Sequence, residues 1–265
     1  MQKTITLTTD FGWSEYVAAM KGVILSINPD ARIIDITHSI KPQNILEGAY
    51  VLYSVAPYFS NAVHVGVVDP GVGSERAGLL IQYEEGLLIG PDNGLLIPCA
   101  KKLGMKKVFR LTNKTYFSDS VSDTFHGRDI FAPVAAHISK GVDAHEIGEV
   151  IDEFVDLKLE YHVEKDNVME GKIIFVDSFG NLITSLPKEI IEKHLEFGDD
   201  LEIDLRGKVE GIKKKVRFLR SYAFRDEGEL IATISSSGFF EISQNQGNAQ
   251  KFFNVEVGSE VKLRF

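Results

Sequence analysis

Hydrophobic positions in the first seventy residues follow two alternating spacings. "TITLTT" (4–9) is a short β-branched run that ends on Asp10. In residues 13–30, Tyr16, Val17, Met20, Val23, Ile24 and Ile27 recur at intervals of three and four, which predicts a helix stopped by Asn28 and Pro29. "ARIIDIT" (31–37) predicts a second strand, 44–59 a second helix, and "AVHVGVVD" (62–69) a third strand. Strand, helix, strand, helix, strand is the order of an α/β layer. Continuous apolar runs such as "VGVV" suit strands covered on both faces of a mostly parallel sheet. Short strands are expected at 77–84, 86–90 and 106–112, and a helix at 128–141 with Pro133 in its first turn.

From about residue 170 the spacing changes to alternation of apolar and polar residues between glycine-bearing turns, with helical spacing confined to about 187–195. The expected architecture is therefore an α/β N-terminal domain with a mostly parallel sheet over residues 1–160. A smaller antiparallel β-barrel-like domain follows over 170–265, with the polar stretch 159–171 as linker.

Composition narrows the class. The 265 residues are 44% hydrophobic and 25% charged, an ordinary globular balance, and the net charge of −9 argues against a nucleic-acid or anionic-membrane surface. "KKKVRFLR" (213–220) alternates charge with Val216, Phe218 and Leu219 and reads as a solvated strand face. Cys99 is the single cysteine, so no intrachain disulfide forms. It lies in an apolar stretch and reads as a packed thiol. The N-terminus lacks a signal-peptide pattern, and no run reaches the roughly 20 apolar residues that span a bilayer. A cytoplasmic location is the expectation. Isolated imidazoles such as His38 and His64 show no metal-ligand spacing, and no metal is expected.

Candidate chemistry gathers where apolar segments end on acids: Asp10 in "TTDFG", Asp69 in "VVDPGVGSER" and Asp177 in "FVDSFGN". Each could simply open a turn. Acids beyond the carboxyl ends of neighbouring parallel strands would instead face one crevice. Asp69 is followed seven residues later by Arg76, across a turn holding Gly71 and Gly73. In "DTFHGRD" (123–129), Asp129 suits a helix first turn with Arg128 as its partner. His126, followed by Gly127, stands just outside the helix with room for a small molecule beside the ring. Read without reference to any family, the residues define a polar site near Asp10, Asp69, Arg76 and His126.

"TLTTDFG", "VVDPGVGSER", "PDNGLL", "TFHGRDIFAP", "DSFGNLITS" and "SSGFFEI" with "NQGNA" resemble, in order and spacing, the S-adenosyl-methionine hydroxide adenosyltransferases, relatives of the fluorinases and chlorinases. The resemblance runs over nearly the whole chain. It implies hydrolysis of S-adenosyl-methionine to adenosine and methionine by water or hydroxide at ribose C5′, with no cofactor. It also implies a water-handling set of Asp69, Arg76 and His126 in the first domain. Asp10 would accept from the ribose hydroxyls, Asn181 beside Phe179 would read adenine, and Tyr222 would pack on adenine. Asp177 would hold the methionine ammonium and Ser236 would lie near its carboxylate. The family pattern is a homotrimer with sites at subunit interfaces. In fluorinases the pair matching His126–Gly127 resembles Tyr-Ser, so no hydroxyl is offered here to a halide, and hydrolysis is favoured over halogenation. A non-catalytic adenosyl-ligand binding protein is the remaining alternative.

Overall fold

The computed structural model describes residues 4–206 and 211–265. The chain divides after Lys158 into two compact units.

The first unit is built on a seven-stranded sheet: β1 (Ile5–Thr9), β2 (Ile33–Thr37), β3 (Val63–Val67), β4 (Gly78–Gln82), β5 (Leu87–Pro91), β6 (Lys107–Leu111) and β7 (Gly148–Ile151), in the order β2-β1-β3-β5-β4-β6-β7. The β1–β2, β1–β3 and β3–β5 pairs are parallel, and β4 and β7 alone run against the rest. Every residue of β1, β3 and β5 is buried, which explains their unbroken apolar character. Helices α1 (Glu15–Ile27), α2 (Ile45–Val55), α3 (Ile97–Lys102) and α4 (Ala132–Ser139) belong to this unit. α1 buries Val17, Met20 and Ile24, one stripe of the predicted apolar set, whereas Tyr16 stays half exposed. Asn28, where α1 stops, donates from Nδ2 to Ser139 Oγ at 2.8 Å and so ties the end of α1 to the end of α4.

From β1 the chain crosses to β2 on one side and returns through α2 to β3 on the other, so the strand order reverses at the β1–β3 junction. Thr9 and Val67 are register partners there, which puts Asp10 and Asp69 just past the carboxyl ends of adjacent parallel strands. In open α/β sheets this is where ligands bind.

The second unit holds β8 (Val163–Lys165), β9 (Val168–Val176), β10 (Leu182–Pro187), β11 (Asp200–Arg206), β12 (Ile212–Phe218), β13 (Leu230–Ile234), β14 (Phe239–Gln244) and β15 (Glu260–Arg264). Their order is β10-β14-β13-β12-β11-β15-β9-β8, and a further β9–β10 pairing closes seven of them into a barrel, leaving β8 outside. Pairing is antiparallel except between β12 and β13. Ile203, Phe218, Phe240, Ile242 and Leu263 fill the interior. The lysines of β12 are exposed, as expected of a solvated strand face.

Residues 163–171, expected as linker, instead form the β8–β9 hairpin. Its loop is Asp166–Asn167, both at positive φ (51° and 60°), the geometry of a two-residue hairpin turn that Asp and Asn tolerate.

Candidate active site

The segment 67–76 carries its acid at the end of β3 and turns back at once. Gly73 sits at φ +77°, and a Cβ there would run into the carbonyl oxygen of Asp123. Glycine is thus required on two counts: the left-handed backbone, and the close approach of the 69–76 turn to the segment leading to His126. The turn returns Arg76 onto Asp69. Arg76 donates from Nε to Asp69 Oδ1 at 2.9 Å and from Nη2 to Oδ2, a bidentate pair. Nη1 reaches the Ala77 carbonyl at 3.2 Å, and the guanidinium lies 5.3 Å from the Phe131 ring centroid. The pair is largely withdrawn from water, its side chains 11% and 5% exposed.

Arg76 Nη2 also lies 2.8 Å from His126 Nδ1. A guanidinium only donates, so Nδ1 is the acceptor and the neutral ring carries its proton on Nε2. Burial pushes the His126 pKa below its ordinary 6.5, and the Arg76 charge lowers it further. The three residues expected to handle water are therefore in direct contact, with Arg76 in the middle.

His126 precedes a single π-helical turn, Gly127–Phe131, that leads into α4. Such turns often mark functional sites. Gly127 is buried. A Cβ there would stand at van der Waals distance, 3.4–3.5 Å, from Met20, Phe125 and Phe11. Asp129 pairs with Arg128 as expected, Nε to Oδ1 at 2.6 Å, but its other role differs from helix capping. It accepts the N–H of Ser122 at 2.9 Å, fixing the loop ahead of His126.

Asp10, past the end of β1, accepts the N–H of Gln43 at 2.7 Å. Next to it in sequence, the buried Thr9 contacts the buried His38, which in turn meets the partly exposed Asp35; the sequence did not single these out. The "DITH" stretch (35–38) spaces Asp35 and His38 three apart at the end of β2, which was the available signal.

In the second unit, Asp177, Phe179 and Asn181 occupy one turn after β9. Asp177 Oδ1 accepts the N–H groups of Phe179 and Asn181, each at 2.9 Å, and Oδ2 accepts Asn181 Nδ2 at 2.8 Å. The Phe179 ring is 73% exposed. Tyr222 donates to Glu241 Oε1 at 2.5 Å, and Ser243 donates to the same oxygen at 2.6 Å. Burial raises the pKa of the Glu241 carboxyl, and the Asp177 charge adds to the effect, so Tyr222, Glu241 and Asp177 sense one another. Glu241 was missed as a residue because it lies on a strand between two buried aliphatic or aromatic neighbours, where an acid is not expected inside. Ser236 is exposed in the turn between β13 and β14. Cys99 is fully buried, and burial pushes its pKa up to about 12, as a packed thiol requires. Among the described residues no group of three or more His, Cys, Asp or Glu is placed to hold a metal ion, and no helix is long and apolar enough to cross a membrane.

An α/β unit with an acid–guanidinium–imidazole cluster at its strand switch point, followed by a closed barrel unit, has the arrangement of an enzyme acting on a small molecule. Residues 5–148 match the model of the S-adenosyl-methionine hydroxide adenosyltransferase N-terminal domain and residues 171–262 that of its C-terminal domain. The chain belongs to the S-adenosyl-methionine hydroxide adenosyltransferase family. It is 44% identical to a Methanocaldococcus jannaschii protein named (R)-S-adenosyl-L-methionine hydrolase, over 98% of this chain and 95% of that one. A Salinispora tropica protein of the same name is 34% identical, over 98% and 97%. A Thermotoga maritima protein of known structure, described as an uncharacterized conserved protein, superposes with a TM-score of 0.90 at 34% identity, covering 99% of this chain and 100% of its own. Proteins named fluorinase match over the same length at 23–25% identity.

Proposed function

We propose that this chain hydrolyses S-adenosyl-L-methionine to adenosine and L-methionine, and that Asp69, Arg76 and His126 hold the attacking water. The observation that carries the reading is the Arg76 contact with both Asp69 and His126 at the β1–β3 switch point. Family membership and the hydrolase names of the relatives support it.

The substrate brings its own leaving group. As the water oxygen bonds to C5′, the C5′–S electron pair passes to sulfur, the sulfonium is neutralised, and methionine departs as an uncharged thioether. No general acid is needed, and the enzyme's task is to place the nucleophile in line with the C5′–S bond. Arg76 favours the hydroxide form of a neighbouring water by Coulomb attraction. His126, with Nδ1 occupied by Arg76, presents Nε2–H as a donor to the water oxygen. Asp69 is the acceptor of the three, and its remaining lone pairs take the water proton and pass it to solvent.

Substrate roles follow the same logic. Asp10 accepts from the ribose hydroxyls. Asn181 is turned by its Nδ2 bond to Asp177 so that Oδ1 accepts from the adenine amino group. Asp177 already accepts three hydrogen bonds, and an ionised carboxylate takes about four, which leaves room for the methionine ammonium. Phe179 and Tyr222 pack on adenine and Ser236 lies by the methionine carboxylate. The reaction uses no cofactor. The N-terminal domain, expected over 1–160, supplies water activation and the C-terminal domain, expected over 170–265, the adenine and methionine contacts. Assembly as a cytoplasmic homotrimer with sites at subunit interfaces completes the reading, and light scattering of the purified protein tests the trimer.

The assay is product analysis. Incubation with each sulfonium epimer of S-adenosyl-methionine should release adenosine and methionine in equal amounts, with preference for the R form carried in the relatives' names. Added chloride or fluoride should yield no 5′-halo-adenosine. Calorimetric binding with no product after long incubation would establish a binding protein instead, and a halogenated nucleoside would establish a halogenase.

A further inference from the structure

One polar chain, buried at His38 and Thr9 and partly exposed at Lys21 and Asp35, has no part in the chemistry proposed above. It begins on α1, where Lys21 Nζ contacts Asp35 Oδ2 at 2.5 Å. Asp35, on β2, places Oδ1 3.0 Å from Nε2 of His38. His38 is 1% exposed, and its Nδ1 lies 2.9 Å from the hydroxyl of Thr9, itself fully buried at the end of β1. Thr9 Oγ1 accepts the N–H of Phe11 at 3.3 Å. A second strap runs beside the first: the N–H of Gly12 donates to the His38 carbonyl at 2.7 Å. The Trp13 ring closes over the imidazole edge-on, its centroid 5.2 Å away.

Chemistry gives this chain a single direction. Burial works against the charge of Asp35, but Lys21 and His38 together outweigh it and hold the carboxyl below its usual range. Asp35 Oδ1 and His38 Nε2 are in contact at 3.0 Å without the alignment of a hydrogen bond, and the carboxylate's charge favours the ring proton on Nε2. The neutral ring then leaves Nδ1 as acceptor, and the Thr9 hydroxyl must donate to it. The Thr9 oxygen is left to accept from Phe11, as it does.

Both straps end on the residues that flank Asp10: Thr9 and Phe11 on one, Gly12 on the other. The Asp10 carboxylate itself accepts the N–H of Gln43 at 2.7 Å. The geometry points to His38 and Thr9 as positioning residues for Asp10: the Asp35–His38–Thr9 chain holds the β1–α1 turn so that this carboxylate meets the two hydroxyls of a ribose. The inference rests on the proposed ribose role of Asp10 and adds the device that aims it. Neither residue touches substrate.

Thr9→Val tests it with minimal change of shape, removing the hydroxyl while keeping a branched side chain in β1. The readout is the affinity of the full-length protein for two nucleosides, adenosine and 2′,3′-dideoxyadenosine, measured by calorimetry. Thr9→Val should weaken adenosine about tenfold and leave dideoxyadenosine within twofold. Thr9→Ser, which restores a hydroxyl, should recover most of the adenosine affinity. His38→Gln, which removes the Nδ1 acceptor, should repeat the selective loss and serves if Thr9→Val folds poorly. Equal weakening of both nucleosides, or no weakening of either, overturns the inference. Asp10→Ala separates it from the reading beneath. If Asp10→Ala loses adenosine selectively while Thr9→Val and His38→Gln do not, the positioning role alone fails. If Asp10→Ala shows no selectivity, the ribose role fails and the inference falls with it.

Discussion

Replacing Arg76 with lysine keeps the positive charge and removes the fork. In the native site the guanidinium makes two bonds to Asp69, one to His126 Nδ1 at 2.8 Å and one to the Ala77 carbonyl at 3.2 Å. An ammonium donates from a single point and does not span both carboxylate oxygens and the imidazole. Arg76→Lys should therefore keep one bond to Asp69 and lose the other together with the His126 contact. Hydrogen bonds to charged groups are worth about 1.5–3 kcal/mol each. If two are lost in the transition state, the barrier rises by about 3–6 kcal/mol, of which solvent and side-chain relaxation recover part. A fall in kcat/KM of about 10²–10³ is the expectation. Stability should fall as well, but by less than in Arg76→Ala, because Asp69 keeps a cation. Arg76→Ala removes that cation, leaves a carboxylate only 5% exposed without its partner, and should cost about 3–5 kcal/mol in urea unfolding. Initial rates of adenosine release, read by chromatography beside unfolding curves for both variants, separate the two effects. An Arg76→Lys enzyme within twofold of the native kcat/KM would refute the claim that the fork organises the water.

Gly73→Ala should destabilise the protein by about 1–3 kcal/mol and slow turnover at least tenfold, since the left-handed turn and the Asp123 carbonyl both exclude a Cβ; native activity in that variant would show that the two loops need not approach so closely. Burial lowers the His64 pKa from 6.5 to about 4, so the unfolded chain binds the proton first and stability is full above pH 6.5 and falls as the pH drops toward 4. The loss amounts to about 3 kcal/mol, and denaturation midpoints of His64→Gln across that range should show a shallower slope than the native protein. The His126 pKa is lowered in the same direction, and protonation at Nδ1 must break its bond to Arg76, so activity should fall on the acid side with an apparent pKa below 6.5 and hold on the alkaline side.

Much of the first unit was legible because burial imposes a period. Strands covered on both faces must be apolar throughout, and α1 must present a stripe, so 4–9, 62–69 and the set through Val17, Met20 and Ile24 could be read directly. The Asp69–Arg76 pair was legible because two glycines and opposite charges lie within one turn. Contacts set by tertiary structure were not. His126 lies 50 residues from Arg76, and only the fold brings Nδ1 to the guanidinium and so decides the tautomer. The β8–β9 hairpin was hidden because its residues are mostly exposed and polar, so no apolar alternation announced it, although Asp166–Asn167 was a turn signal. The barrel itself was expected from the alternating strands, but which pair closes it, β9–β10, depends on strand curvature and register, which a period-two pattern does not encode.

The most direct test of the central claim is the mass of the nucleoside formed in water enriched in oxygen-18. Attack of an Arg76-organised water at C5′ predicts adenosine carrying one heavy oxygen at its 5′ position and unlabelled methionine, with label incorporation slowed in step with turnover in Arg76→Lys. Nucleoside without the label, or label acquired at an unchanged rate when the Asp69–Arg76–His126 contacts are broken, would contradict it.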